Sequence, residues 1–254
     1  MKTGKTVLIT GAGSGLGREL SLEFARRGYN LVLVSKTLQN LKETAGLVKE
    51  ISATVTYFVV DVTKLTAVDK LKKALARRKI KIDTLVNNAG VGFFGTIAET
   101  SLERIRAMME VNYFGSVYFA KAFLNELISG RGTIVFINTA AGKIVIPRFS
   151  AYAPTKAALD FFATALTREL SGKVKVVNVI SGPIKTDFWS DPSFRRLKRR
   201  FLFKEPAAVA KEIVKGVLQG KTTVVVPSWL SLLLLANRIS NSLVYWLFEK
   251  IYKI

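Results

Sequence analysis

Residues 7–20 read VLITGAGSGLGREL: an apolar run, glycines at 11, 13, 15 and 17, then a segment with helical spacing. Strand, glycine loop and helix in that order is how a chain offers backbone N–H groups to a phosphate. The first amides of a helix have no partner inside it, and the macrodipole favours an anion there. The spacing departs from the common dinucleotide fingerprint G-x-G-x-x-G. Counted from Gly11, the third glycine of that fingerprint falls on Leu16; counted from Gly13, it falls on Arg18. What the stretch satisfies is G-x-x-x-G-x-G, from Gly11 through Gly15 to Gly17. A plain tight turn has similar glycines, and the place directly behind the first strand is what favours the phosphate reading.

Working outward, short β-branched runs recur at 6–10, 30–35, 54–60, 84–87, 133–138, 174–180 and 223–226. Stretches with helical periodicity lie between most of them, such as 18–27, 64–78, 102–128, 152–170 and 207–218. This alternation predicts an α/β fold: a Rossmann-like, doubly wound, seven-stranded parallel sheet with helices on both faces and right-handed crossovers. The 254 residues fit one domain over 1–254, with a substrate-lobe insertion at about 188–206 and an apolar extension at about 222–254. Ligands of such sheets bind at the carboxyl ends of the strands.

Composition narrows the chemistry. With 49% hydrophobic and 22% charged residues the chain is an ordinary globule, but 39 Lys+Arg against 18 Asp+Glu give +21. That surplus suits nucleic acid, anionic lipid or an acidic carrier protein, and says nothing about the fold. Cysteine and histidine are both absent, which excludes disulfides, thiol catalysis, histidine-ligated metals and any Ser-His-Asp triad. No metal site is expected. Cysteine-free composition fits the cytoplasm, and the opening MKTGKTVLIT reads as entering a strand at once, with no room for a signal peptide.

The second strand ends LVLVSKT, with no acidic residue until Glu43. A site for NAD usually places a carboxylate about twenty residues after the loop, to hold the ribose 2′-hydroxyl. Ser35 and Lys36 offer a hydroxyl and a cation instead, which suits a 2′-phosphate and favours NADP(H) over NAD(H); in a chain this basic, Lys36 as a plain surface lysine is the alternative. After the third strand, in VVDVT, Asp61 beside Val62 is an acceptor for an adenine amino group. After the fourth, Asn87, Asn88, Ala89 and Gly90 form a small polar turn that lets backbone approach a cofactor. In SAYAPTK, Tyr152 and Lys156 stand four residues apart and share a helix face. An ammonium beside a phenol is expected to lower the tyrosine pKa toward working pH and make it an acid/base. Ser150 reads as the N-cap, which keeps Pro154 in the first turn.

These motifs together resemble the short-chain dehydrogenase/reductase family over nearly the whole chain. Its T-G-x-x-x-G-x-G loop corresponds to Thr10–Gly17, its N-N-A-G to Asn87–Gly90 and its Y-x-x-x-K to Tyr152–Lys156. The resemblance implies a catalytic set of Asn112, Thr139, Tyr152 and Lys156. It also implies cofactor contacts from Gly11, Ser14, Gly15, Leu16 and Gly17, from Ser35, Lys36, Asp61 and Val62, and from Asn88, Ala89 and Gly90. Asn112 would anchor a proton-relay water, and Tyr152 and Lys156 would also touch the cofactor. The family's P-G-x-x-x-T becomes SGPIKT, keeping Gly182 and Thr186 with Ser181 in place of proline; Ile184 and Thr186 would hold the nicotinamide carboxamide. One departure stands out. Thr139 occupies the place of the family's catalytic serine, thirteen residues before the tyrosine. It keeps the hydroxyl, but its methyl crowds the pocket.

Substrate choice is expected from the variable parts. In SFRRLKRRFLFK, Phe194, Leu197 and Phe201 fall on one helical stripe among basic residues. Residues 222–248 hold one charge, Arg238, and the uncharged stretch 224–237 is too short to span a bilayer, with Pro227 cutting into it. Farther on, Leu243, Leu247, Phe248 and Ile251 share a face opposed by Arg238, Asn241, Glu249 and Lys253. Such a segment suits a pocket roof, a subunit interface or peripheral contact with an anionic membrane. The expected activity is hydride transfer between NADP(H) and an apolar or lipid-like ketone or aldehyde. Alternatives are a reductase of 3-oxoacyl groups on a carrier protein or CoA, a catalytically impaired NADP-binding protein, and a basic nucleic-acid binder. Against the last, no nucleic-acid module is visible and the lysines are spread along every helix. Aromatics on YFGSVYFAKAFL and ALDFFATAL point to a homodimer or homotetramer through 102–128 and 152–170.

Overall fold

A computed structural model describes residues 4–51, 54–196, 203–242 and 244–246. Seven strands form one parallel sheet: β1 (Thr6–Thr10), β2 (Asn30–Ser35), β3 (Val55–Val59), β4 (Thr84–Asn87), β5 (Thr133–Thr139), β6 (Lys175–Ser181) and β7 (Thr223–Val226). Their order is β3-β2-β1-β4-β5-β6-β7. The chain winds outward from β1 in one direction, then returns to the centre and winds outward in the other. The reversal between β1 and β4 opens the crevice where ligands of this architecture bind.

Central strands are buried on both faces, so they read as apolar runs rather than alternations; all five residues of β1 are buried. One face packs on α1 (Gly15–Arg26), α2 (Leu38–Glu50) and α7 (Pro206–Leu218) around Ile9, Leu33, Val135 and Val179. The other packs on α3 (Leu65–Arg77), α5 (Gly115–Ser129) and α6 (Ala153–Glu169) around Leu8, Leu85, Phe119, Phe123 and Phe136. Edge strand β3 shows the alternation that the centre lacks, with Tyr57 and Val59 exposed. Two further helices are α4 (Leu102–Met109) and α8 (Leu230–Ile239).

Two expectations change. The periodic stretch 102–128 is not one regular helix: a π-helical turn at Glu110–Phe114 separates α4 from α5. Such an extra residue in a turn re-aims a side chain, and here it turns Asn112 fully inside. Second, Ser150 does not cap α6; the N-cap is Tyr152, with no side-chain cap bond and Pro154 still in the first turn. Of the stripe Phe194, Leu197 and Phe201, Phe194 is fully buried, and the other two lie outside the described residues. So do Leu243, Leu247, Phe248, Glu249, Ile251 and Lys253.

Candidate active site

The glycine loop is shaped by close approach. Gly11 and Gly15 have φ of +65° and +51°, the left-handed region that costs a side-chain-bearing residue energy. A Cβ on Gly17 would lie 2.1 Å from the Gly11 carbonyl oxygen, and one on Gly11 would lie 2.9 Å from Ala89 Cα. The third glycine therefore belongs at 17, where α1 turns back onto its own loop. Ser14 takes the N-cap position without a side-chain cap bond. It lines the cavity with Gly11, Gly15, Leu16 and Gly17, so a helix N-terminus and small residues face the space where a pyrophosphate would sit. Arg18, which sequence reasoning did not single out, fastens the loop from behind. It donates to Gly13 O at 2.8 Å and Thr44 Oγ1 at 3.1 Å, and pairs with Glu43 at 2.9 Å.

The turn after β4 is stitched to β1. Thr10 Oγ1 accepts from Asn88 N at 3.0 Å and Ala89 N at 3.1 Å, while Asn88 Nδ2 donates to Thr10 O at 2.9 Å. Asn88, Ala89 and Gly90 thereby line the cavity beside the loop. Asn112 holds the next residues: its Oδ1 accepts from Val91 N at 2.8 Å, and its Nδ2 donates to Val91 O and to Thr155 Oγ1. Thr155 in turn donates to Tyr152 O at 2.7 Å. Asn112 does not itself line the cavity; with its side chain spent on these bonds, it joins the β4 turn to the start of α6.

Tyr152, Lys156 and Thr139 meet in one cavity of about 790 Å³. Lys156 Nζ donates to Ile137 O at 2.9 Å, a carbonyl of β5. Thr139 Oγ1 donates to Ser181 O at 3.1 Å. Tyr152 and Lys156 are both buried, and burial dominates their titration. It pushes the phenol above its ordinary value and draws the ammonium down to about 8. Against the expectation that Lys156 lowers it, the tyrosine pKa stands above its ordinary value, because burial removes its charged form from water. At neutral pH the phenol keeps its proton.

At the far end of the loop, Ser35 lines the cavity but Lys36, Asp61 and Val62 do not. Lys36 is largely exposed and lies 3.3 Å from Asp61 Oδ2. Partial burial works to raise the Asp61 pKa, but hydrogen bonds from Thr63 and Lys36 hold it below its ordinary value. At the other end, Gly182, Ile184 and Thr186 line the cavity. Thr186 packs over the loop, 3.0 Å from where a Gly15 Cβ would be. The Ile184 carbonyl is taken by Trp189 Nε1 at 2.6 Å. The glycines, the helix N-terminus and the polar groups along this floor fit a nicotinamide dinucleotide.

Beyond Tyr152 the walls turn aromatic. Phe149 and Phe188 stand 5.5 and 5.6 Å from the Tyr152 ring, and Trp189 meets Phe194 edge-on at 4.8 Å and Phe203 at a tilt at 4.7 Å. Trp229, Leu230 and Leu233 close the roof from the start of α8, so the apolar extension contributes to the pocket. The opposite face of α8 points out: Leu232, Leu235 and Ile239 are 72%, 54% and 81% exposed. Among the described residues, no helix is long and apolar enough to cross a membrane, and no cluster of side chains could hold a metal ion.

Comparison with known proteins places this geometry. Residues 5–194 match the family model described as short chain dehydrogenase. Among curated proteins, the chain is 31% identical to 11-beta-hydroxysteroid dehydrogenase-like 2 of Arabidopsis thaliana over 254 residues, covering 98% of this chain and 82% of that protein. It is 33% identical to 17-beta-hydroxysteroid dehydrogenase 13 of Rattus norvegicus over 239 residues, covering 92% and 78%. Among solved structures it is similar to a short-chain dehydrogenase from Sphingobium yanoikuyae in complex with NADPH. That match has a TM-score of 0.80 and 26% identity, and covers 94% of this chain and 96% of the other.

Proposed function

The chain belongs to the short-chain dehydrogenase family, an NAD(P)-dependent oxidoreductase of CH–OH and C=O groups, and on that premise we propose that it reduces an apolar, lipid-like ketone or aldehyde with NADP(H). The observation that carries this reading is the continuity of one cavity. Loop glycines and Ser35 line one end, Tyr152, Lys156 and Thr139 the middle, and Phe149, Phe188 and Trp189 the other end. A substrate there is gripped by apolar surface and touched by few polar groups, which fixes orientation more than identity. Hydroxysteroid dehydrogenases among the relatives support a large apolar substrate. Ser35 and Lys36, with no carboxylate at the end of β2, support NADP(H).

When bound, the dinucleotide supplies the hydride. The chain's own residues do the rest. The hydroxyls of Thr139 and Tyr152 hydrogen-bond the substrate oxygen, and Tyr152 passes its proton to that oxygen as negative charge grows there. A phenol whose pKa is raised by burial is in the required protonated form at neutral pH, which favours the reductive direction. Lys156 stands one turn along and offsets the charge that Tyr152 acquires. Asn112, through Thr155, holds the helix start that carries the tyrosine. NADPH oxidation against a panel of steroid, long-chain and 3-oxoacyl thioester ketones tests the reading. The Tyr152→Phe variant should bind NADPH and turn over none of them. Undiminished turnover in that variant rejects the assignment.

A second reading concerns location. Leu232, Leu235 and Ile239 form an exposed apolar face on the helix whose other side roofs the pocket. Together with a net charge of +21, this supports peripheral contact with an anionic bilayer, from which an apolar ketone enters. Exposed Phe161 on α6 and Leu102 on α4 support pairing of two copies through those helices. Co-sedimentation with phosphatidylglycerol vesicles, for the wild type and for Leu232→Asp with Leu235→Asp, separates the two surfaces. Equal vesicle binding by both proteins rejects α8 as the membrane contact.

A further inference from the structure

Tyr152 and Lys156 are followed, one more turn along α6, by Asp160, so the three stand on one helix face. Asp160 uses both carboxylate oxygens. Oδ2 accepts from Lys143 Nζ at 2.7 Å, and Oδ1 accepts from Asn178 Nδ2 at 2.8 Å. Asn178, on β6, accepts at its own Oδ1 from Asn138 Nδ2 at 2.8 Å. Asn138 is the residue before Thr139 on β5 and is 1% exposed. Lys143 follows the short turn that leaves Thr139, and in that turn a Cβ on Gly142 would lie 2.9 Å from the Lys156 carbonyl carbon. Finally, the Lys143 carbonyl accepts from Asn237 Nδ2 of α8 at 3.0 Å.

We infer that Asp160 is a positioning residue: through Asn178 and Asn138 on one side and Lys143 on the other, it fixes the helix carrying Tyr152 and Lys156 against the strand end and turn carrying Thr139. The inference rests on the reading of those three residues as the reaction centre. A carboxylate can only accept, so Asn178 must turn its NH2 toward Asp160 and its oxygen toward Asn138. Asn138 must then offer its own NH2, and its Oδ1 is left without a partner among the described residues. The amides thus have one orientation, set from Asp160. Reacting groups held by rigid elements lose on the order of 10²-fold in rate for about 1 Å of displacement, and this chain of bonds crosses α6, β6 and β5 at the level just below the site. It also ties the α8 roof to the same turn, so pocket cover and reaction centre share one frame.

An exchange of groups tests it. Asn178→Asp sets carboxylate against carboxylate, and kcat should fall by at least about tenfold while the NADPH dissociation constant stays within about twofold. Adding Asp160→Asn to that variant lets the new amide donate to the new carboxylate, which still accepts from Asn138, while Lys143 still finds an amide oxygen. The exchanged protein should recover kcat to within about threefold of the wild type. Wild-type kcat in Asn178→Asp, or no recovery in the exchanged protein, overturns the inference. Urea unfolding midpoints of the three proteins should follow the same fall and recovery, and their failure to do so also overturns it. A wild type that binds NADPH but reduces no ketone sinks the proposed reaction instead, and the unfolding midpoints still decide the coupling.

Discussion

The Thr139 hydroxyl donates to the Ser181 carbonyl at 3.1 Å, joining the end of β5 to the end of β6 where both residues line the cavity. A hydroxyl has one proton, so Thr139 serves either Ser181 or a substrate oxygen, and reduction requires it to switch. Thr139→Ala should lower kcat/KM about 10²-fold, the usual loss for one donor to a developing oxyanion. Thr139→Ser keeps the donor, loses the methyl, and should stay within a few-fold of the wild type. Steady-state kinetics of both variants checks this; equal activity in Thr139→Ala removes the residue from the mechanism.

The burial of Tyr152 and Lys156, the pair proposed as acid and base, should write a signature into the pH dependence of stability. Lys156 titrates at about 8 in the folded protein against 10.5 ordinarily, because burial disfavours its charged form. Below the folded value it is charged in both states, and its burial counts fully against folding. Above that value the folded protein has released the proton while the unfolded chain still holds it, so stability rises with pH. Tyr152, shifted upward by burial, works the other way only above its ordinary value of 10.0. Urea unfolding at about pH 7.5 and about pH 9.5 should show the wild type gaining ~2 kcal/mol relative to Lys156→Met. A constant difference between the two proteins across that window contradicts it.

The same shift on Tyr152 predicts an asymmetry in catalysis. Reduction needs the protonated phenol and the charged Lys156, so its kcat should fall as pH rises through about 8, where the lysine gives up its proton. Oxidation of the corresponding alcohol needs the phenolate, so its kcat should climb with pH through the alkaline range. Initial rates in both directions over one pH series test this. Parallel profiles contradict it.

The phosphate loop offers a control within one protein. Gly17→Ala places a Cβ 2.1 Å from the Gly11 carbonyl oxygen, a backbone clash that the loop relieves only by opening. Dinucleotide binding should be lost by calorimetry. Gly46→Ala, in the middle of α2 with nothing within 4 Å of the new Cβ, should instead stabilise by about 0.5–1 kcal/mol through helix propensity. NADPH binding by Gly17→Ala at wild-type strength excludes this loop as the pyrophosphate cradle.

Cofactor choice turns on Lys36. Its ammonium lies 3.3 Å from Asp61 and is largely exposed, so it has the freedom to swing toward a 2′-phosphate. Lys36→Ala should weaken NADPH by about five- to tenfold, an exposed charge-assisted contact, and leave NADH unchanged. Equal losses for both dinucleotides point to a structural effect of the Lys36–Asp61 pair instead.

Much of the site was legible because its chemistry is local. The glycine spacing 11-15-17, the Asn88–Gly90 turn and the four-residue step from Tyr152 to Lys156 each lie within one element, where backbone geometry fixes what neighbours do. Asp160 shows where that reading stops. Nothing in its own segment marks it, since its partners Asn178 and Lys143 come from β6 and the turn after β5. The roof residues Trp229, Leu230 and Leu233 and the wall residues Phe149 and Phe188 likewise come from separate segments. Their apolar character was visible in the sequence; their convergence on Tyr152 was not.

The sequence by itself determined the layered α/β plan, and it marked the glycine loop proposed for the dinucleotide and the Tyr152–Lys156 step proposed as acid and base. Periodicity, glycine placement and helical spacing are properties of neighbouring residues. Only the tertiary structure decided how Tyr152 and Lys156 titrate, because burial shifts both and its depth depends on every layer packed above them. It alone also decided that Asn112 turns inward from a π-helical turn and that α8 covers the pocket with one face while exposing the other. Those outcomes depend on contacts between segments far apart along the chain, which local pattern does not encode.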